Sequence, residues 1–198
     1  MSKNKSLDEL KFKLEYALEN GVDIDNRIIR VSGFIGHSGD PTDVSEYSDF
    51  SSIDSALNYL EKISTTEPIT IRINSGGGFA YEALAMVGRM HASPCPIKTQ
   101  GFGHVMSAAT LILAAGDIRQ MSKYCLAMFH ESQGQVGGGT SSIKDGASQM
   151  EQEEKLWASW MAELSYKDKN FWRRKIKKKD IYLTADEMLS WGVIDKVI

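Results

Sequence analysis

Cysteine is scarce in this chain of 198 residues: the two present, Cys95 and Cys125, sit in different apolar segments, with no CxxC spacing and no histidine beside them. Neither a disulfide framework nor a metal site is expected, and both read as buried thiols of a reducing compartment. No apolar run approaches the length of a membrane span, and the N-terminal MSKNKSLDELKFKLEY lacks the uninterrupted apolar core of a secretory signal. A soluble, cytoplasmic protein without a membrane partner is the expectation. Positive charge is short as well. The net charge of −3 is the wrong sign for a dedicated nucleic-acid binder, and the single basic run, RRKIKKK at 173–179, reads as a solvated helix face. Internal repeats and long low-complexity segments are absent, and so are the GK[ST] ending and GxGxxG spacing of phosphate-binding turns.

What is present is one core's worth of apolar residues, 42% of the chain, in alternating helical and extended patterns. Ser6 and Glu9 form a capping-box pattern ahead of Leu7, Leu10, Leu14, Ala17 and Leu18, which predicts an amphipathic helix to about Gly21. A strand is predicted over 26–33, a surface loop over 37–50, a helix from Ser52 and a strand over 69–73. The glycine turn NSGGG at 74–78 then leads into another helix. Without a Cβ, such a turn brings backbone N–H groups close to a ligand. Further strands are predicted over 97–101 and 124–129, a long helix from Ser141, and a helix and strand at the C-terminus. The alternation defines an α/β single domain of repeated ββα or βαβ units.

The chemistry concentrates in GFGHVMSAATLILAAG at 101–116, a strand end turning into an almost wholly apolar helix whose only nucleophile is Ser107. A serine there is commonly just an N-cap. The same position also sets a hydroxyl beside unpaired backbone N–H groups, where an oxyanion would be stabilised. His130 follows a strand end and Asp180 precedes a helix, so the three residue types needed for acyl transfer stand in the order Ser, His, Asp. His104, three residues before Ser107, is the weaker alternative base, and His37 and His91 read as structural or solvated. GQVGGGT at 134–140 is too flexible for a core element and suits an added partner strand. Ile143, Met150, Trp157 and Leu164 recur seven apart and give the long helix an apolar stripe, suited to core packing or to interlocking with a second copy.

Together, NSGGG at 74–78, GHVMSAA at 103–109 with LAAG at 113–116, MFH at 128–130, DIYLTADE at 180–187 and WGVID at 191–195 resemble the successive motifs of the proteolytic subunit of the Clp protease, in that family's order. The resemblance implies a crotonase-like fold over residues 26–198, with a protruding handle helix at about 133–165; the amphipathic helical segment at 1–25 lies outside it and departs from the family. Carried over by position, it implies Ser107 as nucleophile, His130 as base and Asp180 as the acid that orients it. It also implies Gly78 and Ala108 as oxyanion-hole donors, and a substrate strand held between Gly77, Gly78 and the segment Gln133, Gly134, Gln135 and Val136. Expected partners are further copies of the chain, as seven-membered rings stacked in pairs, an AAA+ unfoldase and unfolded polypeptides. No metal or cofactor is expected, ATP entering only through the unfoldase. Two departures stand out: Gly76 where the family usually has proline, and His130-Glu131-Ser132 where it has His-Gln-Pro. A crotonase-fold acyl-CoA enzyme and a non-catalytic ring subunit are the alternative readings.

Overall fold

The computed structural model describes residues 21–36 and 46–198, with Leu7, Lys11 and Lys13. The rest of the expected N-terminal helix and residues 37–45 of the expected loop lie outside the described residues; Leu7, Lys11 and Lys13 are themselves helical. The described strands form one sheet, beginning with β1 (Val22–Asp23) and β2 (Ile28–Ile35), paired antiparallel. β3 (Tyr47–Ser48) lies inside the stretch expected to be loop and pairs with Phe34 and Ile35. Helix α1 (Phe50–Ile63) begins two residues earlier than its apolar pattern suggests, because the Asp49 carboxylate accepts a hydrogen bond from the Ser52 N–H and caps it.

β4 (Ile69–Gly78) is the central strand, parallel to β2 on one side and to β5 (Ile97–Met106) on the other. From Ile71 its residues alternate buried and exposed, as a strand with one covered face must. The covered face carries α1, α2 (Ala80–His91) and α3 (Ala108–Ala114), six of whose seven residues are buried. On the other face Arg72 donates to Gln100, which in turn donates to Gln120 on β6 (Ile118–Met121). β6, absent from the sequence reading, is too short and too exposed to show a period. β5 forks: Lys98 to Gly101 pair with β6, whereas His104 to Met106 pair with β7 (Leu126–Phe129). A step of two residues on β4, from Ile73 to Ser75, faces a step of four on β5, from Gly101 to Val105, so Phe102, Gly103 and His104 bulge outward.

After β7 the chain runs without regular structure to α4 (Thr140–Glu163), the long helix, whose buried residues, Ala158 and Met161, lie in its last two turns. The expected stripe therefore divides. Ile143 is exposed, while Trp157 and Leu164 pack against the core. The packed end is held by α5 (Lys169–Ile176), whose Trp172 is wholly buried among Phe129, Trp157, Phe171 and Trp191. The Trp172 indole N–H donates to Ser165 Oγ at 3.0 Å, so this core aromatic has its polar atom satisfied. Trp172→Ala should lower the free energy of unfolding by about 3–5 kcal/mol in urea titrations. The loss should also loosen the neighbouring strand end, since Phe129, which packs on Trp172, immediately precedes His130. β8 (Ile181–Thr184) pairs antiparallel with β7, and α6 (Ala185–Ser190) follows with a capping box of Thr184 and Glu187. β9 (Lys196–Val197) closes the sheet beside β6. No helix among the described residues is long and apolar enough to cross a membrane.

Candidate active site

The stretch 74–78, expected as a turn, is the end of β4, still paired with β2. Between Gly33 and Phe34 the register slips by one residue, and Gly76 is the extra residue, with open space where a Cβ would point. The slip is held by Ser75, fully buried, whose hydroxyl donates to the Gly33 carbonyl at 2.6 Å and accepts from the Gly77 N–H at 3.1 Å. Gly77 has φ +97°, and a Cβ there would sit 2.7 Å from Ser107 Cβ and 2.8 Å from the Met106 carbonyl. Only glycine lets β4 approach the serine turn this closely. Gly77 thus backs Ser107, its N–H already engaged, and Gly78 is the residue that reaches the cleft surface.

Ser107 occupies the N-cap position of α3 but does not cap it. Its backbone is at φ 52°, ψ −126°, a conformation that costs a residue with a Cβ roughly 1–3 kcal/mol, and its side chain makes no hydrogen bond to the helix. The Oγ lies instead 2.6 Å from His130 Nε2. The main chain joins the same two segments, since the Ser107 N–H donates to the Met128 carbonyl at 2.8 Å, two residues before His130. The Ser107 carbonyl accepts from the Thr110 hydroxyl and N–H at 2.6 and 3.0 Å, fixing the turn from the helix side. At the first helical position the Ala108 N–H has no acceptor within the helix.

Ser107, His130, Gly78 and Ala108 line one cleft of about 700 Å³, together with Gln133, Gly134, Gln135 and Val136. Beyond Ser75, β4 has no pairing with β5, and 131–137 runs without a sheet partner, so two unpaired backbone edges face the cleft. The latter segment rests on α4: Val136 lies against Gly146, and Gly134 against Met150. Asp180 lies elsewhere. Its carboxylate is exposed and takes no hydrogen bond from His130, yet the β7–β8 register ends with Phe129 opposite Ile181, which puts Asp180 opposite His130 one step further on. His104 sits in the bulge of β5, where its N–H donates to Asn74 Oδ1 at 3.3 Å, and it makes no hydrogen bond to Ser107.

The cleft contains residues that the sequence reading did not pick out. Tyr81 at the start of α2 donates its phenol proton to Glu153 of α4, and Gln149 donates to the same carboxylate at 2.9 Å. Donation to Glu153 holds the Tyr81 phenol above its usual range, while Gln149 pulls it the other way. No periodicity could have shown this pair, since its members lie far apart in the chain and neither belongs to a buried stripe. Burial pushes the Cys125 thiol up to about 11, which makes it a poor nucleophile at neutral pH. Among the described residues no group of three His, Cys, Asp or Glu is arranged to hold a metal ion.

Fold and site together define an α/β domain whose sheet delivers a serine–histidine pair to one long cleft. The chain belongs to the Clp protease family: residues 42–198 match that family's model. Proteolytic subunit 1 of the ATP-dependent Clp protease of Salinibacter ruber is 29% identical over 153 residues, 72% of this chain and 61% of the relative. Proteolytic subunit 2 from Corynebacterium efficiens is 30% identical over 136 residues, 67% of each chain. Proteolytic subunit 1 from Mycolicibacterium paratuberculosis is 31% identical over 146 residues, 72% of this chain and 69% of the relative. The chain thus spans about three fifths of the length of the first of these relatives.

Proposed function

We propose that this chain is a serine endopeptidase that cuts extended polypeptides inside a ring of its own copies. The observation that carries the reading is the 2.6 Å contact between Ser107 Oγ and His130 Nε2, made by a serine in a left-handed turn instead of the cap its position suggests. In this reading Ser107 Oγ attacks the substrate carbonyl carbon while His130 Nε2 takes its proton. The Gly78 and Ala108 N–H groups receive the negative charge on the carbonyl oxygen. The tetrahedral species collapses, His130 protonates the departing amine, and the acyl group stays on Ser107. Water, deprotonated by the same imidazole, then releases the acid. Asp180, which faces His130 one step beyond the β7–β8 register, holds the Nδ1–H and stabilises the imidazolium once its turn has moved onto the ring. No cofactor enters these steps.

The substrate adds as a strand between the edge of β4 at Gly78 and the segment containing Gln133, Gly134, Gln135 and Val136, which only extended chain can do. The exposed apolar half of α4, with Ile143 and Leu156 about half exposed, is the surface on which copies would interlock. Seven-membered rings, stacked in pairs in the cytoplasm and supplied by an AAA+ unfoldase that spends ATP, complete the reading. Membership of the Clp protease family does not favour an acyl-CoA reaction, and the Ser107–His130 contact argues against a purely structural subunit.

The test is a substrate series. The purified protein should react with a fluorophosphonate and sediment as a species of many subunits. It should cleave a short peptide and an unfolded protein, and should spare a tightly folded one until an unfoldase and ATP are added. Rapid digestion of the folded protein by the chain alone would overturn the chamber, and failure to label would overturn the serine chemistry.

A further inference from the structure

A second cavity, of about 170 Å³, opens beside the cleft. It is well below the roughly 300–1,000 Å³ of a drug-sized site, and suits a single side chain. The residues it does not share with the cleft are Ala83, Leu84, Leu111, Leu156 and Trp160, all apolar. Six residues line both spaces and so form the wall between them: Ala80, Tyr81, Ala108, Ser132, Glu153 and Trp157. Ala108 is the neighbour of Ser107, so the wall begins at the serine.

Two members of the wall are bonded to each other across it. The Tyr81 phenol donates to Glu153 Oε1, and Gln149 Nε2 donates to that oxygen at 2.9 Å and to the phenol oxygen at 3.3 Å. The link ties α2, which follows Gly78, to the long helix α4. Its ends are the only ionisable groups lining the small cavity, they are bonded to each other, and the residues behind them offer an incoming group apolar contact. Tyr81 is 64% exposed, and among the described residues its hydroxyl is held by Glu153 and Gln149.

We propose that the Tyr81–Glu153 pair is a bar that selects the substrate side chain accepted beside Ser107, admitting an aliphatic group and obstructing an aromatic one. The inference rests on the reading of Ser107 as nucleophile. With the bar closed, an aliphatic side chain passes Ala108 into the pocket of Leu84, Leu111 and Trp160. A larger ring must displace Tyr81 and break its bond to Glu153. Specificity at the cleaved bond is then set by a contact between the head of the domain and its long helix.

The experiment uses the full chain and two fluorogenic peptides that differ only in the residue before the cleaved bond, leucine in one and phenylalanine in the other. Tyr81→Phe keeps the ring and removes the bond, and Glu153→Gln keeps the size and removes the charge. Titration with a fluorophosphonate counts competent sites, so that each kcat/KM refers to active protein. Both variants should shift the phenylalanine-to-leucine ratio of kcat/KM upward by about tenfold, in the range that one group in an apolar pocket commands. A ratio unchanged within twofold, or equal losses on both peptides, would show a structural tether and overturn the bar. Wild-type protein that cleaves neither peptide and takes no label would overturn the serine reading, and the bar with it.

Discussion

Ser107→Ala should lower kcat on a short peptide by roughly 10⁴–10⁶-fold and abolish fluorophosphonate labelling, with the midpoint of urea unfolding almost unchanged. Activity depends on Oγ because no other nucleophile in the cleft touches an imidazole. Stability should be spared for a separate reason. The Ser107 hydroxyl does not cap α3, so deleting it orphans no helix N–H, and alanine keeps the Cβ that already bears the cost of φ 52°. The turn itself is secured by main chain and by Thr110, which remain. Ser107→Gly makes a useful companion: equally inactive, it relieves the positive φ and should be the more stable of the two. Labelling of the alanine protein at the wild-type rate would place the nucleophile elsewhere.

Asp180→Asn should reduce kcat by about 10³–10⁴-fold while changing KM little, because an amide can neither fix the imidazole tautomer nor stabilise the imidazolium. The case rests on register. β8 continues the antiparallel ladder of β7 up to Phe129 opposite Ile181, and one further step faces His130 with Asp180. The turn that delivers Asp180 contains Lys178 at φ 58°, an uncommon conformation for a lysine, and places the carboxylate in solvent instead of on Nδ1. In the proposed triad Asp180 reaches Nδ1 only after a small movement of this turn, which assembly of copies around it would supply. Full activity of the asparagine protein would leave Ser107 and His130 working as a pair.

Much of this was open to reading along the chain. Alternation in Ile69 to Ile73, the apolar run after Ser107 and the helix signal near the C-terminus each reflect forces acting over a few residues, and the elements they predicted are present. Ser107 and His130 could be singled out from the strand-to-helix turn and the strand end that carry them, whereas Gly78 and Ala108 are assigned only through the resemblance of their motifs to a family. Tertiary structure alone decided three things. Ser75 and Gly77 form the brace behind Ser107, since a strand slip of one residue exists only once β2 and β4 pair. The stripe on α4 splits into a packed and an exposed half, because Trp172 and Phe129 reach only its end. Tyr81 meets Glu153 because two helices, 72 residues apart at that contact, close over the same serine, and no local pattern encodes a meeting of that kind.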